Sequence, residues 1–193
     1  PLILDVLKQP VSFAYPFDSL SKIISIQRSE DASIKIYTWF LQSLNEGTYQ
    51  YFGVIQRKGT GASGFQCTGL IDKRPSNEEA EKQILMPEEW YGAVYYDMVQ
   101  KKIGKTTYYF LLGWQGKDRL TTRKVIEVLY FDNWNMAHFG SALFFGQQGA
   151  QVRHRVIFEF NAQAVMLLRY LKGKDMFVFD HLSASVSGVK GQY

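Results

Sequence analysis

One cysteine, Cys67, leaves this chain without an internal disulfide, and three widely separated histidines, His138, His154 and His181, do not make a Cys/His zinc pattern. Charge of one sign is also scarce. Against 22 Lys and Arg stand 18 Asp and Glu, a net charge of +4, and the basic residues are dispersed: the densest groups are Lys101, Lys102 and Lys105, then Arg119, Arg123 and Lys124. That balance does not call for nucleic acid. No apolar run approaches the roughly 20 residues that a membrane-crossing helix needs. No serine stands in the G-x-S-x-G context of a nucleophile elbow, Cys67 has no motif to activate it, and His138 and His154 lack ligand spacing. Neither a cofactor nor a metal is therefore expected. The start at Pro1 instead of Met fits a mature form that has lost a signal peptide, a trimmed form, or a chain whose ends lie outside this sequence.

Aromatic residues, in contrast, are abundant: 12 Tyr, 14 Phe and 4 Trp, together with short runs of Val, Ile, Phe and Tyr between Gly-, Lys-, Asp- and Asn-containing breaks. Such runs read as consecutive antiparallel strands. The chain divides into an N-terminal extension (1–32), a hairpin region (33–71), a helix (75–90) and an antiparallel meander (93–182). In the extension, Asp18 or Ser19 caps a short helix carrying Leu20, Ile23 and Ile24. The hairpin runs from Ser33 to Ser43, turns at Asn45-Glu46-Gly47 and returns from Thr48 to Arg57, with a further short strand from Phe65 to Ile71. Ser76 or Asn77 caps the 75–90 helix, Pro87 limits it, and Ile84 and Leu85 face inward.

Within the meander, Tyr108, Phe110 and Leu112 alternate with Tyr109 and Leu111, so the strand from Thr106 to Trp114 is apolar on both faces and central. Further strands are expected over 93–102, 122–131, 137–145 and 176–182. From Arg153 to Phe160, Val156, Phe158 and Phe160 point inward against Arg155 and Glu159 outward. Residues 161–171 suit either helix or strand, and their place in a meander favours strand. The expected fold is one mostly-β domain, an antiparallel meander forming a sandwich or roll with one or two short peripheral helices.

Three constellations carry possible chemistry. GTGASG (Gly59 to Gly64) has the glycine spacing of a dinucleotide fingerprint, but Phe65 to Leu70 lacks the helix propensity that would aim an N-terminus at a pyrophosphate, so it reads as a plain loop. Asp180 and His181 are adjacent, and neighbours on a strand point to opposite faces. Asp132 and Asp180 are the carboxylates for an alternative reading as a hydrolase acting on a glycan or other envelope substrate. Among the tryptophans, Trp90, Trp114 and Trp134 fall at strand ends or turns, and Trp114 and Trp134 lie at opposite ends of one strand pair. The polar turn Asp132, Asn133, Trp134, Asn135 is accordingly the candidate contact surface for a glycan or partner protein.

The phrases YPFDSLSKI (Tyr15 to Ile23), IYTWF (Ile36 to Phe40), GTYQYFGVIQ (Gly47 to Gln56), LLGWQGKDRLTTRKVIEVL (Leu111 to Leu129), RVIFEFNAQAVMLLRY (Arg155 to Tyr170) and FVFDHL (Phe177 to Leu182) resemble those of a family of uncharacterised bacterial proteins exported to the Gram-negative cell envelope. The resemblance implies an exported, β-rich protein of the periplasm or envelope, with no activity or catalytic residue to carry over. The expected function is non-enzymatic: binding or structure, through a protein or glycan partner, or within a membrane-associated complex.

Overall fold

A computed structural model describes residues 2–43, 45–59, 64–73, 79–145 and 152–180. Two antiparallel sheets face each other as a sandwich. The first has the order β1 (Ser25–Arg28), β2 (Ile34–Gln42), β3 (Tyr49–Lys58) and β4 (Phe65–Ile71). The second runs β5 (Val94–Ile103), β6 (Thr106–Gly116), β7 (Thr121–Phe131) and β8 (Ala137–Phe139). A further strand, β9 (Val156–Asn161), pairs with β7 over Thr121 to Ile126, while β8 pairs with it over Leu129 to Phe131. A separate ribbon is made by β10 (Leu168–Leu171) and β11 (Met176–Phe179). Among the described residues there is one α-helix, α1 (Leu2–Leu7), and no helix long and apolar enough to cross a membrane.

Alternation in β6 explains the layering. Tyr109 and Leu111 face the first sheet, where they meet Ile34, Ile36, Tyr51 and Ile55. Phe110 and Leu112 face the other way and join Val99, Ile126 and Val128 in a second core. Leu168, Tyr170 and Phe177 of the ribbon cover that core. A third cluster on the outer face of the first sheet places Tyr37 and Val54 under Leu7 and Ile24 of the N-terminal segment. Leu111 and Leu112 are both fully buried, each worth roughly 1.5–3 kcal/mol of transfer free energy. The central position expected for this strand follows from having a core on each side.

Several expected elements differ. Of the 75–90 helix, residues 75–78 lie outside the described residues, and the rest contains two 3-10 turns, Ala80–Lys82 and Pro87–Glu89. Between them Leu85 bridges Phe139 at the edge of the second sheet, accepting and donating at 2.8 and 2.7 Å. That extended passage buries Leu85 but leaves Ile84 46% exposed, since neighbours in extended chain point apart.

Arg155, expected outward, is fully buried beside Glu127. Val156, Phe158 and Phe160 are only partly buried, with Val156 and Phe158 packed on the second core. Residues 162–167 form no strand, because the Asn161 side chain accepts from Gln163 N (2.8 Å) and its carbonyl from Ala164 N (2.9 Å), turning the chain. The strand expected over 137–145 stops at Phe139, where Gly140 adopts φ 98°. In the extension, Leu20–Lys22 is a 3-10 turn, with Ile24 buried and Ile23 exposed.

Candidate binding surface

The polypeptide leaves β7 at Phe131 and enters β8 at Ala137 through a turn organised by one side chain. Oδ1 of Asp132 accepts from the backbone N–H groups of Trp134 (2.9 Å) and Met136 (2.8 Å), while Oδ2 accepts from His138 Nε2 (3.0 Å). Main-chain bonds close the same turn: Asp132 N donates to Met136 O at 3.1 Å, and Asn135 N to Asp132 O at 3.0 Å. Asn135 has φ 65°, a left-handed conformation that asparagine tolerates better than most residues. Such local bonding is why aspartate and asparagine suit turns. The donors around Asp132, His138 foremost and then the two backbone N–H groups, hold its carboxyl below the usual carboxylate range.

His138 is itself fixed. Its ring stacks on Tyr130 at 5.2 Å, and Tyr130 packs on Tyr108 at 5.5 Å. Burial, then the neighbouring Tyr108 and Asp132, pushes the Tyr130 hydroxyl up. From this braced turn the Trp134 side chain projects into solvent at 83% exposure, with Asn133 and Asn135 exposed on either side. The arrangement presents an aromatic plane and two amides on a turn held by hydrogen bonds.

The other tryptophans singled out from the sequence are less exposed than Trp134. Trp90 is fully buried and donates from Nε1 to the Tyr95 hydroxyl at 2.8 Å. Trp114 does not end its strand, because β6 continues to Gly116 and the buried Gln115 side chain donates to Tyr91 O (3.1 Å) and Gly92 O (2.5 Å). Its half-buried indole packs against Phe40 at 5.3 Å and Tyr49 at 5.7 Å. Register sets Trp114 opposite Lys124, about 23 Å along β7 from Phe131, so it lies at the far end from Trp134.

The two carboxylates of the hydrolase reading are also apart. Phe158 faces Lys124 in register and packs on Phe179 at 4.6 Å, so Asp180 sits by Lys124, whose ammonium feels its charge. From Lys124 to Asp132 along the same strand is about 26 Å, whereas paired glycosidase carboxylates stand about 5–9.5 Å apart. Asp180 accepts from Leu167 N at 2.7 Å, a strand-end role, and His181 lies outside the described residues. Glu159 is held by Arg123 (2.7 Å) and Lys117 (3.1 Å). In the glycine-rich segment, residues 60–63 are outside the described residues, and beyond Gly64 the chain enters strand β4, which offers no helix N-terminus to a pyrophosphate. Among the described residues no three His, Cys, Asp or Glu side chains are grouped to hold a metal.

His138 and the buried Glu127–Arg155 pair were not singled out by the sequence. An aspartate followed at two and four positions by exposed turn residues is the local signal for the first, while the second has none. Comparison of the chain with protein-family models, with curated proteins and with solved structures finds no match in any of the three.

Proposed function

We propose that this protein is a non-enzymatic binding protein of the cell envelope that holds a glycan against the Trp134 turn. The observation that carries the reading is an indole 83% exposed on a turn braced by three hydrogen bonds to one carboxylate. A backbone held before binding cuts the entropy lost on contact, and tryptophan supplies a large contact area with only two side-chain torsions to restrict. Sugar rings offer apolar C–H faces to the indole and hydroxyls to the amides of Asn133 and Asn135. Placement in the envelope rests on the resemblance carried by phrases such as YPFDSLSKI and FVFDHL. Met136, 48% exposed beside the indole, extends the apolar surface and favours a protein epitope as the second reading.

Trp134→Ala tests both. Because the side chain is solvent-exposed, its loss should change stability by no more than about 0.5 kcal/mol, leaving the melting temperature nearly unchanged. Signal on a glycan array should fall at least about tenfold, the equivalent of roughly 1.4 kcal/mol. Loss of a protein from an envelope pull-down with unchanged array signal would select the protein reading. Unaltered binding in both assays, or a large loss of stability, would remove Trp134 from the function.

A further inference from the structure

The outer face of the first sheet carries a second built feature, remote in sequence from Trp134. Arg28, Lys35, Gln56 and Cys67 are successive cross-strand partners over β1 to β4 and so share one face, with Lys58 two residues beyond Gln56 on the same side. The N-terminal segment is pinned onto this row by Gln56, which is fully buried. Its Nε2 donates to Leu7 O (2.7 Å) and Ser12 Oγ (2.7 Å), and its Oε1 accepts from the Tyr37 hydroxyl (2.8 Å).

This places the adjacent Phe13 ring, backed by Phe65 at 4.6 Å in a near-parallel stack. Three cationic heads converge on that one ring: Lys35 Nζ at 5.5 Å, Lys58 Nζ at 5.8 Å and the Arg28 guanidinium at 5.9 Å from its centroid. Lys35 forms the floor at 5% exposure, and Arg28 and Lys58 are exposed at the rim.

None of the three pairs with a carboxylate among the described residues, although Lys82, Lys101, Lys117, Arg123, Arg153, Arg155 and Lys172 all do. Lys35 Nζ makes one hydrogen bond among the described residues, to Tyr15 O at 3.2 Å, and also lies 5.9 Å from the centroid of the Phe17 ring. Burial, and then the Arg28 charge, pulls its pKa down, as expected where like charges meet without a counter-ion. Ring faces attract cations, which accounts for Phe13 at the centre, but a ring carries no charge to neutralise three.

We infer that Arg28, Lys35 and Lys58, gathered about Phe13, bind a phosphate-class anion. Three donors arriving from separate strands suit a tetrahedral group with several oxygens better than a planar carboxylate, and the Arg28 fork matches two of those oxygens at once. The group has two sources, a soluble phosphate monoester or the headgroup of an anionic lipid. The second draws on Val11 (77% exposed), Tyr15 (59%) and Ile23 (81%), apolar side chains presented by the same N-terminal layer.

The test measures binding at constant ionic strength, with sodium chloride as the control salt. Thermal shift and calorimetry use inorganic phosphate and glycerol 3-phosphate. Co-sedimentation uses phosphatidylcholine vesicles with and without phosphatidic acid. Wild type should show saturable binding in at least one arm: to the soluble anions if the source is a free phosphate, to the phosphatidic acid vesicles alone if it is a headgroup. The double variant Arg28→Gln/Lys58→Gln, at exposed positions that leave the core intact, should weaken that binding at least about tenfold. Lys35→Met should do the same if it folds, and Trp134→Ala should leave it unchanged. Absence of saturable binding in every arm, or equal binding by the double variant, overturns the inference and leaves the Trp134 reading untouched.

Discussion

Replacing Arg155 by methionine isolates the interaction on which the segment from Ala80 to Leu85 depends. Arg155 Nε donates to Glu127 Oε2 at 2.8 Å, with both side chains fully buried. Its NH1 donates to Ala80 O and to Gln83 O (3.1 Å), and its NH2 to Phe139 O (3.0 Å). Methionine matches the length of the stem but leaves the buried Glu127 carboxylate without its guanidinium and takes one donor from each of the Ala80, Gln83 and Phe139 carbonyls. Removing one partner of a buried pair costs about 3–5 kcal/mol, a large part of a total stability of about 5–15 kcal/mol. With a urea dependence of about 2 kcal/mol per molar, the unfolding midpoint should fall by about 2 M.

The pH dependence adds a second readout. Burial already raises the Glu127 pKa, opposed by Arg155. Without the guanidinium it rises further, so the folded state keeps a proton that the unfolded state releases. Stability is then retained below the unfolded glutamate value of about 4.3 and lost as pH climbs through the folded value, making the variant's deficit smaller at pH 5 than at pH 8. A midpoint within about 0.5 M of wild type, or a deficit that grows on acidification, would refute the assignment of this pair as a structural tie.

Gly140→Ala should cost at least about 1–3 kcal/mol, because φ is 98° and a Cβ there would stand 2.8 Å from Gln83 O and 2.9 Å from Arg155 NH2; an unchanged thermal midpoint would show that the turn relaxes freely. Gln56→Leu should release the N-terminal layer, so that limited proteolysis ahead of Ser25 accelerates while circular dichroism still reports the sheets; equal cleavage rates would deny Gln56 its role. For Asp132, whose carboxyl is held below its usual range by His138 and two backbone donors, the turn's stabilisation is present above the unfolded value of about 3.9 and lost as pH falls through the folded one. A carboxyl carbon titration by NMR with a midpoint at or above 3.9 would contradict that bonding.

The mostly-β class and the strands within 34–71 and 94–131 were legible in the sequence because both depend on local order, whereas β1 (Ser25–Arg28), inside the expected extension, was not. The period-two alternation of Tyr108 to Leu112 assigns each residue a face, and Gly47 and Gly104, both at positive φ, mark the turns where strands reverse. Trp134 was legible for the same reason, since a polar turn between two strands leaves its side chain in solvent. Only the tertiary structure decided the rest. Residues 79–90 have helix-forming side chains, yet the carbonyls of Ala80 and Gln83 serve a guanidinium 75 and 72 positions away, and Leu85 joins a sheet edge at Phe139. Arg155 reads as the wet face of a strand until Glu127, 28 residues earlier, supplies the charge that lets it be buried. Asp132 and Asp180 look like partners until folding sets Asp132 at the end of β7 and Asp180 after the separate ribbon, beside Lys124. The three cations around Phe13 come from separate strands, and nothing in their spacing announces the meeting. Alternation and turn chemistry act between neighbours along the chain, whereas a buried charge is admitted only by the partner that folding brings to it.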